Sequence, residues 1–243
     1  MKEIIKQIPI IGDVAKRIYW RLLTRRRNPE PFPGSAAYWE KRYSAGGNSG
    51  VGSYALFAEF KADVLNRFVA THHVPTILEF GCGDGNQLLL AQYPRYLGLD
   101  VSNTAIALCQ KLFKSDGHKS FRLMSDYKGE NADLTLSLDV IYHLVEDNVF
   151  EHYMRTLFGA SNRFVIIYAS DSDDNRGYEG THVRHRKFTK WIQENLPNWD
   201  LVKHLPNRYP FRGDYRKGSF AEFFIYKKAA YIAPRRRWRR DAG

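Results

Sequence analysis

ILEFGCGDGNQLLL, residues 77–90, is the stretch whose reading decides the fold. Its apolar run predicts a buried strand, and Asn86 is expected to open a helix whose first turn carries unpaired N–H groups. Between them Gly81, Gly83 and Gly85 free the connecting loop to take strained torsions, and they let a ligand approach the bare backbone. A strand, a glycine-rich turn and a helix start together make the nucleotide pocket of a doubly wound α/β sheet.

The spacing then selects among nucleotides. A dinucleotide fingerprint, G-x-G-x-x-G, needs its third glycine at position 86, where Asn86 stands. The pattern present is E-x-G-x-G-x-G, led by Glu79. A carboxylate at that strand end repels a pyrophosphate and suits a cationic ligand. A second apolar strand ends in Asp100, twenty-one residues after Glu79, where an acid suits the hydroxyls of a ribose. At these residues the chain resembles the class I S-adenosylmethionine-dependent methyltransferases. Glu79, Gly81, Gly83 and Gly85 match their first motif, E/D-x-G-x-G-x-G, and Asp100 matches their second-strand acid.

The resemblance implies an α/β fold, a doubly wound Rossmann-like seven-stranded sheet with helices on both faces, with S-adenosyl-L-methionine as cofactor. It places Glu79 and the loop Gly81, Cys82, Gly83 and Gly85 against the methionine part. Asp100 would take the ribose, Val101 would line the adenine, and Asp126 with Tyr127 would meet the adenine amino edge. The rival reading of Asp126 is a helix or turn cap. Cys82 sits where a small side chain suffices.

Methyl transfer from a sulfonium is a direct displacement with a neutral leaving group, so the protein chiefly aligns the acceptor and excludes water. A hydroxyl or nitrogen acceptor also needs a place for its proton. The family resemblance sets the segment LSLDVIYHLVED beneath the transferred methyl, which makes Asp139 and His143 the catalytic candidates and Tyr142 a substrate contact. His143 is the leading base because an imidazole titrates near neutrality; the competing reading is a structural hydrogen bond at a helix start. Farther on, DSDDNRGYEGTHVRHRKF carries His182, Arg184, His185 and Arg186. Arginines hold phosphate or carboxylate by paired hydrogen bonds, so His182, Arg184 and Arg186 are candidate substrate contacts; the alternative is a solvated charge run. His182 and His185 lack a third ligand at metal-binding spacing, so no metal is expected.

The 243 residues suffice for one sizeable core, and 44% hydrophobic content excludes a disordered chain. Two cysteines, Cys82 and Cys109, exclude a disulfide scaffold and a four-cysteine zinc site, and they suit a reducing compartment. Neither a long apolar span nor a secretory signal pattern is found. The net charge of +11 sits at the ends. Residues 1–29 hold eight Lys/Arg against two acids and residues 227–243 hold seven against one, leaving residues 30–226 near −1. A nucleic-acid enzyme would carry its basic residues around the working face.

Three regions are expected: a basic amphipathic segment and linker over 1–34, the methyltransferase domain with its N-terminal cap over 35–228, and a basic tail over 229–243. In the first, Ile4, Ile8, Ile11, Ala15, Ile18 and Leu22 form one helical stripe. Such a helix suits an anionic membrane surface, or packs on the protein's own core or a sister subunit. NPEPFPG reads as a linker, and Ser35 as the N-cap of a short helix bearing Tyr38, Trp39 and Tyr43. These aromatics are either a cofactor cap or ordinary core anchors. Residues 46–52 read as a mobile loop. Helices are expected over 54–69, 104–113, 147–158 and 188–195. Strands are expected over 76–80, 96–101, 120–124, 134–138, 163–169, 201–204 and 220–226.

The functional expectation is therefore a cytoplasmic methyltransferase acting on a small-molecule or glycan acceptor, held at the inner face of a membrane by its ends. An RNA methyltransferase and a non-catalytic cofactor-binding scaffold are the alternatives. Against RNA, the fourth strand ends in Leu138-Asp139-Val140-Ile141 rather than an N-P-P-Y signature.

Overall fold

The parallel core follows from strands that are apolar along their whole length. In the computed structural model, which describes residues 32–178 and 181–229, β1 (Ile77–Phe80) is buried at every position. β4 (Ala132–Leu138) and β5 (Ser161–Ala169) are nearly so. Strands covered on both faces read this way because neither face meets water. The polar exceptions on β4 are satisfied internally. Thr135 donates to the carbonyl of Leu157 at 2.9 Å, and Ser137 pairs with the Tyr153 hydroxyl at 2.7 Å.

With β2 (Tyr96–Asp100), β3 (Lys119–Leu123), β6 (Trp199–Leu205) and β7 (Glu222–Lys228), the sheet has the order β3-β2-β1-β4-β5-β7-β6. The pairs among β3, β2, β1, β4 and β5 are parallel, whereas β7 runs antiparallel to both β5 and β6. Strand order reverses between β1 and β4, and open α/β sheets bind ligands beyond the carboxyl ends of strands at such a point.

The helices are α1 (Ser35–Ser44), α2 (Ala55–Thr71), α3 (Asn103–Leu112), α4 (Asp147–Gly159) and α5 (Phe188–Asn195). Ser102 caps α3, its hydroxyl accepting from the Ala105 N–H at 3.0 Å.

Three expectations are corrected. Asn86 does not open a helix: only a 3₁₀ turn, Gln87–Leu90, follows the glycine loop. Of its leucines only Leu88 is buried, so there is no apolar stripe for a longer helix to bury, and the chain is extended again at Ala91. The Asn86 and Gln87 amides instead donate to the carbonyls of Ser53 and Ala58. Ser35 is not the cap of α1; that position is Gly34. The Ser35 hydroxyl is buried against the Glu146 carboxylate at 2.6 Å and accepts from the Val145 N–H, tying α1 to the segment after β4. Residues 46–52 are not a free loop, for Ser49 is bound to the glycine turn as described below. The amphipathic segment and the basic tail lie outside the described residues.

Candidate active site

The glycine turn is held from two sides. The N–H groups of Gly81 and Cys82 both donate to the Leu99 carbonyl, and the Gly83 N–H donates to Asp100 Oδ2 at 2.9 Å. The other Asp100 oxygen accepts from the Ser102 N–H at 2.9 Å. Gly81 has φ +87°, and a Cβ there would lie 2.5 Å from a Val140 methyl, so the turn after β4 packs directly on the glycine turn. On α3, the Cys109 thiol reaches the Gly83 carbonyl at 3.2 Å.

Acid exceeds base in this pocket. Glu79 is buried and accepts from the Tyr96 hydroxyl at 2.6 Å. Burial pushes its carboxyl up to about 7, against the pull of the Tyr96 hydrogen bond and the Lys61 charge. Burial likewise raises Asp100, opposed by the N–H groups of Ser102 and Gly83. Carboxyls held against ionisation by burial favour an incoming cation. Val101, an exposed apolar side chain, follows Asp100 directly. At the end of β3, Asp126 is exposed and Tyr127 donates to the Glu130 carbonyl at 2.9 Å. Bare backbone, a cation-seeking carboxyl, and an acid beside an exposed apolar side chain suit a cationic sulfonium nucleoside.

The N-terminal helix α1 is fastened over this pocket. Glu40 accepts from the hydroxyls of Ser102 and Thr104, each at 2.6 Å. Ser49 donates its N–H to Asp84 at 2.8 Å, and its hydroxyl accepts from the Asp84 N–H and pairs with the Tyr43 hydroxyl. Tyr54 adds a second donor to Asp84 at 2.8 Å.

After β4 the backbone turns sharply at Asp139, which holds φ +60°, a left-handed torsion that costs a non-glycine residue energy. Its carboxylate meets the Lys61 ammonium at 2.6 Å and the Tyr142 hydroxyl at 2.7 Å. Lys61 is fully buried on α2. Sequence reasoning passed over it, although it falls four residues after Phe57 and four before Leu65, on the buried stripe. Next along the turn, His143 Nδ1 lies 3.0 Å from the His182 carbonyl. A carbonyl only accepts, so Nδ1 carries the hydrogen and Nε2 keeps its lone pair. Burial pushes this imidazole down to about 4, so it is neutral near pH 7. The His182 ring stacks on Tyr38 at 4.3 Å and on His143 at 5.2 Å, and the Trp39 edge approaches His143 at 4.9 Å.

The structure thus brings together Asp139, Tyr142, His143 and His182, but it employs the arginines differently. Arg184 donates to the Val145 carbonyl at 2.9 Å and pairs with Asp147 at 3.0 Å. Arg186 donates to the carbonyls of Leu144 and Val145 and reaches the same carboxylate. Both pin the segment leading into α4, with the Arg184 side chain still 42% exposed. His185 diverges from His182, its Nδ1 paired with Ser170. Among the described residues no group of three or more His, Cys, Asp or Glu is placed to hold a metal.

Fold and site together define an α/β protein with a pocket for a cationic nucleoside. Residues 78–158, a third of the chain, match the family model of a methyltransferase domain. Among solved structures, the chain is similar to the N-methyltransferase NodS from Bradyrhizobium japonicum with bound S-adenosyl-L-homocysteine, at TM-score 0.63 and 17% identity, covering 80% of this chain and 98% of that one. It is also similar to the magnesium protoporphyrin IX methyltransferase ChlM from Synechocystis with bound S-adenosylmethionine, at TM-score 0.57 and 13% identity, covering 80% and 97%. A third, the small RNA methyltransferase HEN1, aligns at TM-score 0.51 and 18% identity, over 70% of this chain and 24% of that one. No curated protein gave a significant sequence match. Residues 78–158 thus match a methyltransferase domain, and the seven-stranded sheet has the Rossmann-like fold of these methyltransferase structures.

Proposed function

We propose that the protein transfers a methyl group to a hydroxyl or amine of a small-molecule or glycan acceptor lodged between α1 and the turn after β4. The observation carrying this reading is the neutral His143 imidazole, its Nε2 lone pair unengaged by any described hydrogen bond, set among the rings of Trp39 and His182. Aromatic faces suit the apolar flank of a sugar or ring-bearing acceptor. In this reading Glu79 and the glycine turn hold the methionine part of the cofactor, Asp100 the ribose, Val101 the adenine face and Asp126 with Tyr127 its amino edge. Bound S-adenosylmethionine supplies an activated methyl on a neutral leaving group. His143 orients the acceptor's X–H bond and takes up its proton as the new bond forms, while Asp139, braced by Lys61 and Tyr142, holds a second hydrogen of the acceptor or its developing positive charge. NodS, an N-methyltransferase by its description, is a precedent for a nitrogen acceptor on this fold.

Labelled-methyl transfer into fractionated small-molecule and glycan extracts tests the reading. His143→Gln should slow transfer about 100-fold with cofactor affinity preserved, the lower end of what a positioned base contributes. Asp100→Ala should bind no S-adenosylhomocysteine. Label appearing in RNA fractions alone would favour the RNA reading. Affinity without transfer into any fraction would favour a non-catalytic scaffold.

The basic ends support docking on an anionic membrane surface at the cytoplasmic face, since each carries +6. Deleting residues 1–27 should then abolish sedimentation with phosphatidylserine vesicles. Unchanged sedimentation would remove that segment from any docking role.

A further inference from the structure

The loop joining β6 to β7, NRYPFRGDYRKGS over residues 207–219, holds four basic residues against one acid, in a body whose residues 30–226 are near −1. Its stem is firmly built. Asn207 is buried and donates to the Tyr168 hydroxyl at 2.6 Å and to the Ala221 carbonyl at 2.8 Å. The Phe211 N–H donates to the Ser219 carbonyl, and the Ser219 N–H to the Tyr209 carbonyl, closing the loop on itself. Gly218 is needed at this closure, because a Cβ there would lie 2.4 Å from the Pro210 carbonyl oxygen. Residues 211–217 are thereby presented as a tip on a fixed stem.

On that tip each aromatic is followed by an arginine, Phe211-Arg212 and Tyr215-Arg216. The two rings stack at 4.4 Å and are 37% and 45% exposed. Single exposed apolar residues need no explanation, but a stacked pair on a braced tip keeps a flat apolar face in water. Arg208 and Lys217 pair with Asp63 and Asp214, whereas Arg212 and Arg216 form no ion pair among the described residues. Exposed arginines are at ease in water, so their charge alone carries nothing; its coincidence with the ring pair does.

The platform also has a direction. Tyr215 lies 6.0 Å from Phe220, and Phe220 meets Tyr142 edge-on at 5.0 Å, so rings run from the tip to the turn after β4. The Tyr215 hydroxyl bonds that of Tyr178, tying the tip to the loop after β5.

We propose that this tip recognises a phosphorylated acceptor. The acceptor's ring lies on Phe211 and Tyr215, Arg212 and Arg216 hold its phosphate, and its methylated group reaches the turn at Tyr142 and His143. Two guanidiniums beside one ring pair suit a dianionic phosphate ester, whose free oxygens serve both. Single-stranded RNA would instead call for a cationic groove tracking several nucleotides, against the near-neutral charge of residues 30–226. This deepens the acceptor reading above and rests on it.

Ligand-observed NMR on the full chain, loaded with S-adenosylhomocysteine, tests the site without turnover. Three probes separate its parts: phenyl phosphate, phenyl β-glucoside and inorganic phosphate. Phenyl phosphate should bind at least about 10-fold tighter than either of the others, a charged hydrogen bond being added to a stacked ring. In the double variant Arg212→Gln with Arg216→Gln, phenyl phosphate should weaken about 10-fold, while phenyl β-glucoside and S-adenosylhomocysteine stay within about twofold. Tyr215→Leu should weaken both ring probes, and Tyr215→Phe, which keeps the ring, should spare them.

Phenyl phosphate binding no tighter than inorganic phosphate would overturn the proposal, as would a double arginine variant that binds it undiminished. Displacement of phenyl phosphate by a tenfold lower concentration of oligouridylate would overturn it in favour of RNA. In the labelled-methyl assay the product should be retained on an anion exchanger until phosphatase treatment; label in neutral products alone would also overturn it. A protein that holds phenyl phosphate through Arg212 and Arg216 yet methylates no fraction would strike down the acceptor reading and leave the phosphate site standing.

Discussion

Lys61→Met should cost about 3 kcal/mol of folding stability, read as a shift in the urea midpoint, because it leaves the largely enclosed Asp139 carboxylate, 12% exposed, without its counter-charge. The ammonium is fully enclosed and contacts that carboxylate at 2.6 Å, beneath a backbone already strained at φ +60°. The double variant Lys61→Met with Asp139→Leu removes both charges and should regain most of the loss, since apolar replacements of a buried pair are often neutral or stabilising. It should not regain methyl transfer. Recovery of both properties would make the pair a structural clamp only. A single variant as stable as the wild type would mean that water reaches the pair.

The opposite trade should appear at Glu79. Its carboxyl is raised from an unfolded value of 4.5 to about 7, so the folded protein binds the proton more tightly than the unfolded chain. Its contribution is therefore complete below about pH 4.5 and is lost as pH climbs through about 7, a swing of about 3 kcal/mol at 1.36 kcal/mol per unit. Glu79→Gln removes the titration and can still accept from the Tyr96 hydroxyl. Above pH 7 it should be the more stable protein by about that amount, while losing affinity for S-adenosylmethionine. In the wild type the affinity should rise with pH across 7, as the acid ionises against the cationic ligand; in the variant it should be low and flat. Parallel stability profiles for the two proteins would show that the acid is hydrated in the folded state.

These two residues also mark what could be read from the chain directly. The strand ending at Phe80, the glycine turn and the strand ending at Asp100 were legible because apolar runs and glycine spacing are local to one strand–turn–strand unit. The α5 boundaries, Phe188–Asn195, followed from local periodicity alone. The missing helix after the glycine turn was not legible: Gln87 to Leu90 has good helix formers, and only the tertiary exposure of Leu89 and Leu90 denies it a face to bury. Lys61 was hidden by habit, since a lysine in a helix is taken for a solvent residue, although its place on the stripe of Phe57, Ala58, Ala62 and Leu65 argued otherwise. The partners of Arg184 and Arg186, the carbonyls of Leu144 and Val145, were not legible because they are set by a chain crossing some forty residues away. Ser35 failed likewise, its hydroxyl spent across 111 residues on Glu146.

The strand order has a consequence for biosynthesis. β7 is made after β6, yet it sits between β5 and β6 and pairs with both. A nascent chain that has emerged only as far as β6 has no partner for that strand and an open edge on β5, a hazard for pairing with other chains. Translation must therefore pass β7 before β6 can join the sheet. A stalled ribosome carrying residues up to about 205 should display a protease-sensitive β6 on an otherwise ordered parallel half.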